Sequence, residues 1–92
     1  MADIFDALVA PARRSILDAL VLRDDQTLFE LVNRLASDHG VALTRQAVSQ
    51  HLQVLEDAGL VVTRRDGRYK FHSLDPRPLR EIAGRWLSKE AP

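Results

Sequence analysis

The dipeptide Asp66-Gly67 stands between two strand-like runs, LVVTRR and RYKFHSL. It is the strongest short signal for a β-hairpin, because both residues tolerate the backbone angles a tight turn requires. Most of the remaining 92 residues carry helical patterns. A lone hairpin in a helical chain limits the choice of fold, and it directs attention to the helices on either side.

The first helix is read over Asp3–Val9, with Ile4, Phe5, Leu8 and Val9 as an apolar stripe. Pro11 breaks it and opens a second helix, Pro11–Leu22, where the missing N–H costs little. That helix presents Ile16, Leu17 and Leu20 for burial. Asp24-Asp25-Gln26 reads as a polar turn. Thr27 and Glu30 form a capping box for a third helix with a stripe of Leu28, Leu31, Val32 and Leu35, ended by His39-Gly40. Thr44 caps a fourth helix, read over residues 44–58 and stopped by Gly59. The hairpin spans residues 61–74. Asp75-Pro76 then starts a last helix, Pro76–Lys89, with Leu79, Ile82, Ala83, Trp86 and Leu87 on one face. A chain this short has room for one core, so residues 1–92 are read as a single domain.

Two helices joined by a short turn and followed by a two-stranded hairpin are the parts of a winged helix-turn-helix. The expected fold is therefore mainly α, with about five helices and a two-stranded wing. The fourth helix fits the reading role in such a fold. Val48, Leu52 and Leu55 seat it, while Arg45, Gln46, Ser49, Gln50 and Gln53 make a polar face nearly free of acids. Carboxylates there would be repelled by phosphates, whereas guanidinium, amide and small hydroxyl groups pair with base edges. Arg45, Gln46, Ser49 and Gln50 are the expected base readers. Thr44, His51, Gln53, Arg64, Arg65, Arg68 and Lys70 are the expected backbone contacts, not all able to point one way, since strand residues alternate. An amide-rich face can also be ordinary solvated surface. The charge distribution favours the former reading: residues 1–43 hold four basic against seven acidic residues, and residues 44–92 hold nine against six.

The chain resembles the ArsR-type winged-helix transcriptional repressors from Ala7 to Leu87. The likeness is carried by ALVAPARRSILDAL, by AVSQHLQVLEDAGLV and by RRDGRYKFHSLDP. The middle motif is the most specific, with Ser49, His51-Leu52, Val54-Leu55 and Ala58-Gly59-Leu60-Val61 in the family's places. The resemblance implies a homodimer built on the first and last helices, which binds an inverted-repeat operator in double-stranded DNA, its own promoter being one candidate, and represses transcription. The residues agree: Ile4, Phe5 and Leu8 at one end and Ile82, Trp86 and Leu87 at the other are two terminal apolar stripes. The same stripes could instead pack within one chain.

Departures from the family are also legible. Many members sense metals through cysteines before the reading helix, or through Asp and His in the last helix. This sequence has no cysteine, and its last helix has no histidine and only Glu81 and the tail residue Glu90 as acids. Soft and borderline metals prefer thiolate or imidazole, so no metal site is expected. His39 is read as facing a helix dipole and solvent, His51 as structural or near a phosphate, and His72 lies in the second wing strand. The segment SDHGVALTRQ is slightly longer than in compact members.

No cofactor is expected, and an enzyme is not: phosphate loops, nucleophile elbows and metalloprotease motifs are all missing. The acids Asp24-Asp25 read as solvated. No apolar run can span a bilayer and the acidic N-terminus is unlike a signal peptide, so a cytoplasmic protein is expected. Two rival readings stay open, a winged-helix module for protein–protein contacts and a metal-responsive repressor with an unrecognised site.

Overall fold

The computed structural model describes residues 3–87 and 89. In chain order it contains α1 (Ile4–Val9), α2 (Pro11–Leu22), α3 (Leu28–Asp38), α4 (Arg45–Asp57), β1 (Val61–Asp66), β2 (Tyr69–Leu74) and α5 (Arg77–Leu87). This is a winged helix-turn-helix: five helices and one antiparallel hairpin. The stretch beyond Leu87, which the sequence reading carried to Lys89, lies largely outside the described residues, as does Glu90.

Local chemistry sets the helix ends. The Asp3 carboxylate accepts from Phe5 N–H at 2.9 Å and caps α1. Thr27 and Glu30 close a reciprocal box, Glu30 N–H to Thr27 Oγ1 at 3.2 Å and Thr27 N–H to Glu30 Oε1 at 2.9 Å. Those two bonds satisfy donors that the first turn of any helix leaves unpaired. Thr44 Oγ1 does the same for Ala47 N–H at 3.1 Å. Two arginines of α2 bond the carbonyls at the end of α1: Arg13 takes those of Asp6 and Ala7, and Arg14 those of Leu8 and Val9.

The wing turn falls one residue later than the sequence reading placed it. Asp66 pairs with Tyr69, so the two central residues are Gly67 and Arg68. Gly67 has φ +62° and Arg68 has no positive φ. A left-handed residue at the first central position only is the pattern of a type II′ turn, which requires glycine there and tolerates most residues next. Arg68 therefore sits at the tip itself.

Helices α2, α3 and α4 enclose the core. Ile16, Leu31, Leu35, Val48 and Leu55 are completely buried, with Leu60 and Val61 joining from the start of the wing. The wing is fastened by the α2–α3 turn, which behaves as a fragment of a third strand. Gln26 N–H donates to His72 O at 3.0 Å, and His72 N–H donates to Gln26 O at 2.7 Å. The turn is thus not merely polar and solvated as its sequence suggested. Gln26 is wholly buried, the Asp24 carboxylate accepts from Leu74 N–H at 2.8 Å, and Asp25 holds Arg64.

Helix α5 is different: it buries no residue completely. Asp75 caps it, accepting from Arg77 N–H and from the Arg77 guanidinium, which together pull its carboxyl down to about 2. Leu79 packs on the core, whereas Trp86 and Leu87 remain more than half exposed.

Candidate nucleic-acid interface

Helix α4 divides along its length. Val48, Leu52 and Leu55 recur on one face and are buried. Arg45, Gln46, Ser49, Gln50 and Gln53 occupy the other and are exposed, with Thr44 as the cap. Between Thr44 and Leu55 there is no carboxylate. The N-terminal turn of α4 also presents free backbone N–H groups, which suit an anion.

The hairpin register sorts the wing's basic residues. Cross-strand partners share a face, and Arg65 pairs with Lys70 on the side that also carries Thr63, His72 and Val61. Arg64 pairs with Phe71 on the opposite side. The first of these faces turns toward α4. Between them runs an open groove of about 360 Å³ lined by Arg45, Ser49 and Gln53 from α4, by Arg68, Tyr69 and Lys70 from the wing, and by Phe29 from α3. Glu56 is the one carboxylate in its lining, and it stands 3.9 Å from Lys70 Nζ. Among the described residues Arg45, Arg65 and Arg68 have no ion-pair partner, so the groove and its rim carry surplus positive charge.

The fold therefore brings Arg45, Ser49, Gln53, Arg68 and Lys70 together, with Arg65 on the same wing face. Gln46 and Gln50 are exposed on α4 but do not line the groove. Arg64 is set apart. Its guanidinium lies 2.6 Å from the Asp25 carboxylate and 4.6 Å from the Phe71 ring centre, on the far face of the wing. His51 is occupied as well, with Nδ1 3.2 Å from an Arg13 terminal nitrogen. Burial and the Arg13 charge both hold its pKa below the ordinary histidine value.

His39 caps the end of α3, but its Nε2 is buried without a hydrogen-bond partner, so that atom does not face solvent as expected. Burial, above all, lowers the pKa of His72, whose Nδ1 lies 3.0 Å from Gln26 O. A carbonyl oxygen only accepts, so Nδ1 carries the proton.

Phe29 was missed by the sequence reading, although it is 59% exposed at the groove. Its signal was available, since it is the one aromatic of α3 and falls off the Leu28–Leu31–Val32–Leu35 stripe. Tyr69, 62% exposed beside the turn, was absorbed into a strand pattern. Gln26 had no readable signal, because an amide in a polar turn gives no hint of complete burial.

At the other end of the molecule α1 and α5 converge. The Phe5 and Trp86 rings lie 6.3 Å apart, tilted by 53°. Phe5, Val9, Trp86 and Leu87 are exposed, while Ile4, Leu8 and Ile82 are half-buried. Among the described residues no three His, Asp or Glu side chains gather as metal ligands, and with cysteine missing from the sequence the donor set does not fit a thiophilic ion. No described helix is long and apolar enough to cross a membrane.

Comparison with known proteins agrees with this geometry. A family model described as a helix-turn-helix domain matches residues 8–64. An HTH-type transcriptional regulator of Bacillus subtilis, YuzN, is 44% identical over 84 residues, covering 91% of each chain. Among solved structures, a possible transcriptional regulator for arsenical resistance superposes with a TM-score of 0.75 at 33% identity, over 96% of this chain and 84% of that one. A regulator described as ArsR family gives 0.74 at 26% identity, over 98% and 92%.

Proposed function

This chain belongs to the ArsR-type winged helix-turn-helix transcriptional regulators, and from that membership we propose that it works as a homodimeric repressor on an inverted-repeat operator. Helix α4 enters the major groove. Arg45, Gln46, Ser49 and Gln50 meet base edges there, each good bidentate pairing contributing roughly 1–3 kcal/mol of discrimination. Thr44 and Gln53 reach the adjoining phosphates, and Arg65, Arg68 and Lys70 grip the backbone from the wing. Arg64 and His51 already have partners within the chain, and in this reading they fix the wing and the helix.

The observation that carries the proposal is the groove between α4 and the wing, where three cationic side chains and a row of amide and hydroxyl groups face one carboxylate. The exposed stripes of α1 and α5 support the dimer. A second copy related by a two-fold axis would cover Trp86 and Phe5 and place one α4 on each half of a palindromic site. The cytoplasm follows as the compartment in which such a protein meets DNA.

The test is a fluorescence-anisotropy titration on the DNA upstream of the protein's own gene, at several salt concentrations. Sequence-preferring binding that weakens steeply with salt is expected. Equal affinity for random duplex, together with tight binding to another protein, would overturn the repressor reading in favour of an interaction module.

A further inference from the structure

Resting on that reading, we infer that Arg13 is a positioning residue for DNA recognition: it braces the recognition helix α4 against the end of α1, the helix that carries one half of the proposed dimer interface. Its guanidinium spends donors on three acceptors from two other helices. Nε donates to Ala7 O at 2.8 Å, one terminal nitrogen to Asp6 O at 3.0 Å, and the other meets His51 Nδ1 at 3.2 Å. Only a planar, multiply donating cation serves three acceptors arranged in this way; a lysine ammonium is a single point on a flexible stem.

The chemistry of the pair fixes a protonation state. Arginine has no acceptor, so Nδ1 of His51 must be the unprotonated nitrogen and the proton sits on Nε2. Arg13, from α2, is the charged group that bears on the ring. Asp6, from α1, contributes to the same cluster through its backbone carbonyl. His51 follows Gln50 directly in the middle of α4, so the brace acts on the part of α4 that is to read bases. Ala7, whose carbonyl is held, is completely buried and lies between Phe5 and Leu8 of the α1 stripe. A shift of α1 is therefore passed to α4 through the planar Arg13 guanidinium, in addition to the direct packing of the two helices. In a two-fold dimer that linkage sets the separation and tilt of the two reading helices, which must match the spacing of half-sites.

The experiment compares the wild-type protein with Arg13→Gln, His51→Asn and His51→Leu. Each is titrated on the preferred operator duplex and on random duplex, with sedimentation for dimer content and NMR titration of the imidazole protons. Asn places an oxygen near the position of Nδ1 and restores the acceptor; Leu removes it. The expected result is that Arg13→Gln keeps its dimer but loses about tenfold in operator affinity, the scale of one charge-assisted hydrogen bond. Its His51 pKa should rise toward the ordinary value, His51→Leu should show a similar loss of affinity, and His51→Asn should stay close to wild type. If Arg13→Gln fails to fold, the two His51 variants decide alone: equal operator affinity for Asn and Leu overturns the brace. A wild-type protein without sequence preference sinks the repressor reading instead, and the His51 titration still reports whether Arg13 controls the ring.

Discussion

Arg64 and Asp25 meet across the root of the wing, 2.6 Å apart, although 39 positions separate them in the chain. Asp25 holds a left-handed backbone at φ +64°, and its N–H donates to Ser73 Oγ at 3.1 Å. The pair joins the α2–α3 turn to β1, and the hydrogen bond to Asp25 is the main cause that raises the Arg64 pKa. Both side chains are about half exposed, so the bridge is well solvated and its contribution to stability is small. Arg64→Ala is expected to reduce DNA affinity by about twofold or less, whereas Arg65→Ala should weaken every sequence by more and lower the salt slope by about one. Parallel anisotropy titrations of the two variants check this. Equal losses would show that the outer face of the wing also touches DNA.

Helix α4, in its proposed base-reading role, makes a complementary prediction. Gln50 is exposed on α4 away from the groove lining, so its amide is free for an adenine edge. Gln50→Ala should change which operator variants are preferred and leave the affinity for random duplex nearly unchanged. A uniform loss over all sequences would remove Gln50 from the reading set.

How much of this was legible in the sequence depended on whether a signal was local. The Thr27–Glu30 box, the Pro11 helix start and the Val48–Leu52–Leu55 face each follow from spacing along a few residues, and each was read as it stands. The wing turn was read within one residue, because Asp-Gly marks a turn without saying which central position the glycine takes. Long-range pairings could not be read. Nothing near Gln26 indicates that His72 will pair with it, nor does anything near Arg64 point to Asp25. The placement of the groove residues was partly legible: periodicity exposed Arg45 and Ser49 together, but only the hairpin register put Arg64 on the wrong side of the wing to join them.

Gln26 should prove costly to replace. Its Nε2 donates to Ala19 O at 3.2 Å and Arg23 O at 2.6 Å, and its Oε1 accepts from Arg34 Nε at 3.1 Å, all from a fully buried position. Gln26→Ala removes the partners of Arg23 O and Arg34 Nε, leaves Ala19 O with its bond from Arg23 N–H alone, and opens a void. With each unsatisfied buried group costing roughly 1–3 kcal/mol, a loss of about 2–3 kcal/mol is expected after partial hydration. Urea denaturation measures it. A change within about 0.5 kcal/mol would mean that water replaces the amide without penalty.

Acid should destabilise the protein through its histidines before it reaches its carboxylates. The pKa values of His51 and His72 are both held below the ordinary 6.5, chiefly by burial. Their neutral forms are therefore favoured by folding. The stability this provides is fully present above pH 6.5, and it is lost as pH falls from there toward the lowered folded values, because the unfolded chain takes up protons first. Asp75, at about 2 against an ordinary 3.8, acts in the same direction only in the window between those two values. Urea midpoints should fall between pH 7 and pH 5, and His72→Asn, which keeps a donor for Gln26 O, should flatten part of that slope. A midpoint constant over this range would show that neither ring is buried as described.

The aromatic contact between α1 and α5 offers the test of the proposed homodimer. Trp86 stacks obliquely on Phe5 and has the Arg85 guanidinium 4.9 Å from its ring centre, yet 57% of its surface remains open. Helix α5 buries nothing completely in its own chain, so its apolar face has more to gain from a second copy than from the core. Large aromatics at the centre of an interface commonly cost 2 kcal/mol or more when truncated, about 30-fold in dissociation constant. Trp86→Ala should therefore shift the protein toward monomer in sedimentation run over a concentration series. Folding should be nearly unaffected, because the ring leaves no cavity in the core. Operator affinity should fall along with the dimer fraction, since each half-site would then be bound alone. A Trp86→Ala protein that stays fully dimeric would move the interface away from α5, and the exposed stripe would need another explanation.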